Sequence, residues 1–375
     1  MKFCFFGNIT KAIKGLTPGG AELQISLLAR ALALKGHSVI IIDPYSNEDF
    51  ITAEGIKVIT VRNWNNGIRG FRLFSSRIPG LWKLLIEQKA DFYYVRMRSY
   101  YHLINYFACR KVGGKFIQAI AHDLDVSNYW QKFKHESKKR FNLFRFLTIA
   151  LPNDITLHFL LKNADYVLLQ HSGQNIGFSG DKPKVKIFPN LINTRSITVV
   201  KESSKSDYIH VGSLSVLKGS ENLYKLIQII DKSYRIIIVG QPTDKISVKI
   251  IQKLRQFDNV ILKGRLDHNE TIRLIAKSKA LISTSNSEGF PNIFLEAWSA
   301  GVPVISLNIN PGEIFNKYQL GYYCSSNIQE MKECMESDRI ESIKKENLFS
   351  YVNQFHSFQT GGDRFLSLLN NNYNS

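Results

Sequence analysis

Residues Ser283–Ser306 read STSNSEGFPNIFLEAWSAGVPVIS, and the pattern of this stretch decides the fold. It runs from the end of an apolar strand through a Gly-Phe-Pro turn into a short helical pattern and a second apolar strand. Glu288 lies in the turn and Glu296 on the predicted helix, residues 292–300. Turns at the carboxyl edge of a parallel sheet are where open α/β sheets bind ligands. Because carboxylates only accept hydrogen bonds, the pair favours a polyol ligand with donating hydroxyl groups.

The rest of the chain repeats this alternation of apolar strands and helix-period segments, which is typical of parallel sheets with crossover helices. The pattern breaks at a polar stretch and then restarts. We therefore predict two doubly wound α/β domains that face each other across a cleft. The predicted parts are residues 1–193, a linker at 194–207, residues 208–354 and a C-terminal helix within 355–375 that crosses back to the first domain.

Composition indicates a soluble, globular chain that is large enough for two domains. It has 375 residues, of which 44% are hydrophobic and 21% charged. Its four cysteines are scattered, which indicates reduced thiols in a cytosolic protein. The first apolar run is too short for a signal peptide, and no stretch approaches the ~18 apolar residues of a membrane span.

The positive charge is concentrated in the first half of the chain. Residues 1–200 hold 28 basic and 13 acidic residues, whereas residues 201–375 account for only +3 of the net +18. Basic residues interleave with aromatic ones at 64–74, 95–111 and 129–146. A solvated basic face beside core aromatics is one interpretation, and a face that meets an anionic partner is the other. No nucleic-acid-binding module is recognisable, so we expect no nucleic acid partner.

A long glycine-containing loop, residues 7–22, connects the first strand to the first long helix. Gly19 and Gly20 lie where the helix begins, so free N–H groups and the helix dipole favour an anion there. An ordinary glycine-rich turn would have the same composition. The loop does not fit G-x-G-x-x-G, which argues against a nicotinamide cofactor.

Several motifs in this order resemble glycosyltransferase family 4, whose members are retaining enzymes with the GT-B fold. The segment SEGFPNIFLEAWSAGVPVIS resembles the double-glutamate motif of that family. GGAE at residues 19–22, AHD at 121–123, FPNLIN at 188–193 and HVGSLSVLKG at 210–219 resemble its glycine loop, histidine segment, hinge and diphosphate segment. The resemblance extends across most of the chain.

The resemblance implies a role for each matching residue. Glu296 would bind the nucleotide ribose, and Glu288 would contact the donor sugar near its reacting carbon. Lys218 would neutralise the diphosphate leaving group. His122 would lie on the acceptor side and, with Glu288, count among the catalytic residues.

Further donor-binding residues follow from the same resemblance. The amides near Gly19 and Gly20 would assist at the diphosphate, and Gly289, Phe290 and Asn292 form the turn beside the sugar. Pro291, between the last two, has no N–H to contribute, so the Asn292 side chain is a candidate donor.

One departure from the family pattern concerns the diphosphate segment. The family usually has an arginine where this chain has Ser213, and serine cannot form the bidentate phosphate clamp of a guanidinium. Either Arg265 substitutes, or donor binding is weaker.

The mechanism implied is transfer of a hexosyl group from a nucleotide sugar, most simply a UDP-sugar. Diphosphate departure demands cations and amide donors more than a strong nucleophile. No Asp-x-Asp motif lies near the cleft segments, so we expect metal-independent chemistry and no cofactor. Same-face attack is favoured over a covalent intermediate because no nucleophile presents itself. A non-catalytic nucleotide-sugar binder and a sugar-nucleotide epimerase remain alternatives; transfer and product analysis without an acceptor would separate them.

The expected class of acceptor is inferred from the fold and the charge together. In GT-B enzymes the first domain holds the acceptor, and here that domain is basic. We expect a lipid-linked saccharide in cell-surface polysaccharide biosynthesis and a cytoplasmic protein resting on the inner face of the cell membrane. Lys138, Lys139 and Arg140 are candidate contacts to anionic lipid.

Overall fold

The computed structural model describes residues 1–13, 19–68, 71–126, 146–174, 184–194 and 207–370. It divides the chain into two compact units: Met1–Leu191 together with Phe358–Ser375, and Ile192–Ser357. The predicted linker at 194–207 lies outside the described residues except at its two ends.

The first unit contains an eight-stranded sheet within its described residues, in the order β3-β4-β2-β1-β5-β6-β7-β8. Neighbouring strands are parallel except β3 and β4. The strands are β1 Lys2–Phe6, β2 Ser38–Asp43, β3 Phe50–Ile51, β4 Lys57–Thr60, β5 Phe92–Arg96, β6 Lys115–Ala119, β7 Tyr166–Leu169 and β8 Lys184–Ile187.

The α-helices described in this unit lie between the strands or after them in the chain. They are α1 Thr10–Ile13, α2 Gly20–Leu34, α3 Ile78–Gln88, α4 Tyr101–Val112, α5 Asp123–Val126, α6 Leu151–Asn163 and, at the C-terminus, α14 Phe358–Asn370. Both faces of the sheet are covered, because Phe3 and Phe5 of β1 belong to one apolar cluster and Cys4 and Phe6 to another. This explains why β1 is apolar from Phe3 to Phe6.

The second unit contains a six-stranded, fully parallel sheet in the order β11-β10-β9-β12-β13-β14. Its strands are β9 Tyr208–Val211, β10 Ile236–Val239, β11 Val260–Gly264, β12 Ala280–Ser283, β13 Val304–Ser306 and β14 Gly321–Tyr323. Its α-helices are α7 Ser220–Ile229, α8 Lys245–Leu254, α9 His268–Lys277, α10 Asn292–Ser299, α11 Ile314–Tyr318, α12 Ile328–Glu336 and α13 Lys345–His356. The predicted doubly wound α/β domains are confirmed.

The predicted return of the C-terminal helix to the first domain is also confirmed. Helix α14 packs on α2, and its Phe365 is fully buried within 6.1 Å of the Phe3 ring and 5.3 Å of the Phe188 ring. The return begins at Phe358, whereas the sequence predicts it from residue 355. The intervening residues belong to the second unit because α13 continues to His356, whose ring lies 4.8 Å from that of Phe290.

We expect the substitution Phe365→Ala to destabilise the first unit by about 3–5 kcal/mol, because it leaves a cavity in a closed core. Denaturant unfolding followed by probes in the first unit measures the change. Ser367→Ala, on the exposed side of the same helix, is the control and should change stability by no more than about 0.5 kcal/mol. Equal stabilities for the two variants would contradict the packing described for α14.

Candidate functional site

Two loops at the carboxyl edge of the second sheet are bonded to each other. Gly219 has φ +70°, and a Cβ added there would lie 1.7 Å from the carbonyl oxygen of Thr284. The Thr284 hydroxyl donates to the Gly219 carbonyl (3.0 Å). The Asn286 N–H donates to the Leu217 carbonyl (2.9 Å), and its side-chain amide donates to the Val216 carbonyl (2.6 Å). The loop after β9 is therefore fixed against the loop after β12.

This arrangement brings two of the predicted site residues together. Lys218 Nζ lies 2.5 Å from Glu288 Oε1, which also accepts a hydrogen bond from the Ser285 hydroxyl at 2.9 Å. The Glu288 side chain is only 12% exposed and that of Lys218 34%. A charge-assisted bond in such a setting is stronger than one in water. An ammonium and a carboxylate side by side can receive a ligand that carries an anionic group next to hydroxyl groups.

Glu296 lies on α10, and its side chain is 14% exposed. Burial raises the pKa of its carboxyl group to about 7, because a charged carboxylate is poorly solvated there. His268 Nδ1 lies 3.9 Å from Glu296 Oε1, and burial lowers the His268 pKa below its usual 6.5, partly offset by the charge of Asp267. At neutral pH the histidine is therefore neutral, and the contact is not an ion pair.

The turn between the two glutamates is folded inward. Gly289 is buried, and the Phe290 ring packs among core residues, 6.4 Å from the Trp298 ring. The Phe290 side chain therefore belongs to the core, and its backbone is the part that could meet a donor sugar. Asn292 begins α10 and is half-buried.

Ser213 and Arg265 lie at the same edge of the sheet. Ser213 is exposed just after β9, and Arg265 is exposed just after β11. Strand β10 separates them, which corresponds to about 10 Å between the strand ends. Arg265 forms no salt bridge with any described residue, so its guanidinium group is available at that edge.

The remaining predicted residues lie in the first unit. Gly19 precedes α2 and is exposed, and Gly20 is its first residue; the glycine loop between residues 14 and 18 lies outside the described part. The buried Asp43 carboxylate fixes the start of that loop by accepting the Thr10 N–H at 2.7 Å. His122 follows β6, and its Nδ1 accepts the Leu124 N–H at 3.0 Å.

Sequence reasoning missed the residues that build the Lys218–Glu288 pair. Thr284 and Asn286 stand in the quoted stretch, and Gly219 directly follows Lys218. In the sequence they are marked only by a run of small polar residues after a buried strand. Their hydrogen-bond partners lie 65 to 70 residues away along the chain. His268 was equally unmarked; it follows Asp267, whose carboxylate caps α9 by accepting the Glu270 N–H at 2.8 Å.

Two kinds of structural feature do not occur among the described residues. No helix there is both long enough and apolar enough to cross a bilayer. No group of three or more His, Cys, Asp or Glu side chains there is placed to hold a metal ion.

The match to a protein family model falls within the second unit. Residues 194–348 match the family model "Glycosyl transferases group 1", and this range contains Lys218, Glu288 and Glu296. A segment of 139 residues is 28% identical to "Glycosyltransferase 1 domain-containing protein 1" of Xenopus tropicalis; it covers 36% of this chain and 40% of the relative. The chain thus spans less than half the length of the curated relatives it matches.

Solved structures match the whole chain at low identity. Sucrose-phosphate synthase from Thermosynechococcus elongatus has a TM-score of 0.75 at 14% identity, covering 100% of this chain and 99% of its own. WaaG, a glycosyltransferase involved in lipopolysaccharide biosynthesis, has 0.70 at 14%, covering 98% and 99%. HepE from Anabaena, in complex with UDP and glucose, has 0.68 at 16%, covering 99% and 100%. These likenesses show the GT-B fold.

We expect Glu296 to make the stability of the second unit depend on pH. Its folded-state pKa is raised, so its contribution is fully present below the unfolded value of 4.5 and is lost as the pH rises through about 7. Relative to wild type, Glu296→Gln should gain about 3 kcal/mol of unfolding free energy between pH 4.5 and 8. Denaturant unfolding at both pH values measures this gain.

The control for this experiment is Glu333→Gln, which removes an exposed carboxylate in the same unit. Its unfolding free energy should follow that of the wild type at both pH values. If Glu296→Gln also follows the wild type, its carboxyl group titrates normally and the site is more open than described.

Proposed function

We propose that the protein is a retaining glycosyltransferase that moves a hexosyl group from a UDP-sugar to a saccharide acceptor. The observation that carries this proposal is the Lys218–Glu288 pair, held at the sheet edge by bonds between two loops. Both residues and Glu296 fall in the segment that matches the group 1 glycosyltransferase model. The HepE structure, which is a complex with UDP and glucose, supports the choice of donor.

In this proposal each charged group meets one part of the donor. Glu296 accepts hydrogen bonds from the ribose hydroxyls, and Glu288 accepts them from the sugar. Lys218 turns from Glu288 towards the diphosphate, whose negative charge grows as the sugar bond breaks. A cation stabilises that growing charge more in the transition state than in the bound donor, which is what raises the rate.

The proposed chemistry needs no metal, since this chain's own cations serve the leaving group. Arg265 is the second cation in the proposal, because it is exposed at the edge that Ser213 shares. For retention we propose same-face attack by the acceptor. Glu288 accepts a hydrogen bond from Ser285, and from Lys218 before the donor binds, which suits it to holding hydroxyls rather than attacking carbon. His122 serves the acceptor in this proposal.

A non-catalytic nucleotide-sugar-binding protein is the second candidate, and Ser213 is the observation that favours it. The family's usual arginine is missing there, and the serine is exposed. Incubation of the full chain with a panel of UDP-sugars, with and without saccharide acceptors, separates the two. Glycoside product with the donor's anomeric configuration supports the transferase, whereas donor binding without hydrolysis or transfer supports the binder.

We also propose that the acceptor is lipid-linked and that the protein works at the inner membrane surface in cell-surface polysaccharide synthesis. The excess of basic residues in the first 200 supports an anionic surface as partner. Several large apolar side chains of the first unit are exposed, among them Ile68, Phe71, Phe74 and Leu147. Such side chains beside basic ones suit the headgroup region of a bilayer.

We expect substitutions of Lys218 and Glu288 to affect UDP affinity and sugar transfer differently. Lys218→Ala should weaken UDP binding by roughly 30-fold or more, because a charged contact worth about 2 kcal/mol is lost, and should lower the transfer rate as well. Glu288→Ala should abolish most transfer while UDP affinity stays within about threefold. Calorimetric titration with UDP and an assay of sugar transfer measure the two effects.

Lys332→Ala is the matched control, because it removes another lysine–glutamate pair of the second unit, Lys332 with Glu336, on helix α12. It should leave UDP affinity and transfer unchanged. Wild-type activity of Lys218→Ala would mean that the phosphates lie elsewhere. Equal losses of UDP affinity in Lys218→Ala and Glu288→Ala would contradict the separate roles.

We expect salt-sensitive binding to vesicles that contain anionic lipid. Neutralising Lys138, Lys139 and Arg140, which lie outside the described residues, should weaken it because each basic residue near the surface contributes about 1 kcal/mol. The control neutralises two lysines and an arginine of the second unit, the exposed Lys245, Lys249 and Arg255. Vesicle flotation at low and high salt measures the binding. If the wild-type protein stays unbound to the vesicles at both salt concentrations, the membrane assignment is refuted.

A further inference from the structure

Several polar side chains are buried near the carboxyl edge of the first sheet. Arg96 ends β5, Gln118 lies in β6, and His171 follows β7 by two residues. These strands are neighbours, with Arg96 paired to Ala119 and Val95 to Gln118. Arg96 is 4% exposed, Gln118 0% and His171 8%. The three residues thus lie at or near the ends of adjacent strands, at the edge where α/β sheets bind ligands. Because residues paired in register share a face, Arg96 and Gln118 point to opposite faces of the sheet, so one ligand can meet both only by lying across the strand ends.

The charge of Arg96 has no carboxylate partner among the described residues. Its Nη2 donates to Asn190 Oδ1 at 2.7 Å, an oxygen that also accepts from Gln170 Nε2 at 2.9 Å. Arg98, two residues along the chain, contacts the carboxylates of Asp125 (3.0 Å) and Asp154 (2.9 Å). A buried charge without a counter-charge is costly, so its retention indicates a role.

Four buried polar atoms here lack a hydrogen-bond partner within the described residues: Arg96 Nε, Gln118 Oε1, His122 Nε2 and His171 Nδ1. Gln118 Oε1 can only accept a hydrogen bond, and Arg96 Nε–H can only donate one. His122 Nδ1 accepts the Leu124 N–H, so in the neutral ring Nε2 carries the proton and is a donor. His171 Nε2 faces the Asp123 carboxylate at 3.1 Å, so its Nδ1 is an acceptor. The set therefore offers two donors and two acceptors.

The backbone beside Arg96 is strained. Met97 has φ +73°, in the left-handed region that residues other than glycine seldom occupy. Its carbonyl accepts the Gln118 side-chain amide at 3.2 Å. Strain of this kind persists where the surroundings enforce it, and it is frequent at binding sites.

We propose that these residues bind an acidic saccharide, one with hydroxyl groups beside a carboxylate or phosphate. Arg96 and His122 donate to the anion, while Gln118 and His171 accept from the hydroxyls. The proposal rests on the proposed function, in which this unit holds the acceptor, and it adds that the acceptor is anionic at the sugar bound here. The uncompensated charge of Arg96 is the reason for an acid rather than a neutral sugar.

The test is binding by the full chain of four probes: D-glucuronate, glucose 6-phosphate, glucose and inorganic phosphate. Saturation-transfer NMR titration gives each Kd. We expect at least one of the two acidic sugars to bind about tenfold or more tightly than glucose, since a charge-assisted bond distinguishes them. The acid that binds more tightly shows whether the site prefers a carboxylate or a phosphate. Glucose bound as tightly as both acids, or inorganic phosphate bound as tightly as the preferred acid, overturns the proposal.

Arg96→Gln should remove the preference and leave the glucose Kd within about twofold. Lys115→Gln is the control, because it removes one positive charge from the exposed amino end of β6, and it should keep the preference. A preference that survives Arg96→Gln overturns the assignment to Arg96. If that variant does not fold, the wild-type comparison of acids with glucose still decides.

UDP binding, measured in the same samples, separates this proposal from the proposed function. The UDP Kd should be unchanged in Arg96→Gln, which also shows that the variant is folded. A wild type that binds UDP without preferring an acid refutes the acidic acceptor alone. A wild-type protein that prefers an acid but binds no UDP supports the acidic-saccharide site and contradicts the proposed glycosyltransferase function.

Discussion

The second unit's candidate site depends on the close approach of two backbones, Gly219 against Thr284. No side chain fits between them, since even a Cβ would overlap the Thr284 carbonyl. This approach fixes where the lysine before the glycine can lie, and the hydrogen bonds of Asn286 hold the loop in register. Lys218 consequently reaches Glu288, although 70 residues separate them in the chain. The chemistry of the pair follows from a contact that itself involves no charge.

The two glutamates lie in different electrostatic environments. Glu288 has a cation and a hydroxyl donor in the protein itself. Glu296 has neither among the described residues, and its burial raises its pKa to about 7. A ligand that donates two hydroxyls to Glu296 would replace the solvation that the carboxylate lost on folding. Glu296 is therefore suited to binding, because its ionised form is better stabilised with such a ligand than without. Glu288 is held in place before any ligand arrives, which reduces the cost of ordering it during the reaction.

Much of the fold was predictable because it depends on local patterns. The helix over Asn292–Ser299, the Asp267 cap and the buried face of the C-terminal helix are each encoded within a few residues. The contact of Gly219 with Thr284 and that of His268 with Glu296 were not, because loops after different strands meet only in the folded sheet. The inward turn of Phe290 also escaped prediction, since a motif gives the identity of a side chain but not its direction.

Arg96 differs from the paired cations of both units, and the difference carries information. Ion pairing is common in this basic chain: Arg110 lies 2.9 Å from Asp165, and Arg30 lies 2.7 Å from Glu54. Lys218 in the second unit is likewise paired with Glu288. Arg96 is buried more deeply than any of these, yet within the described residues it has an amide oxygen as its partner and no carboxylate. A chain that supplies carboxylates to these three more exposed cations, but none among its described residues to Arg96, leaves the place of the counter-charge to a ligand.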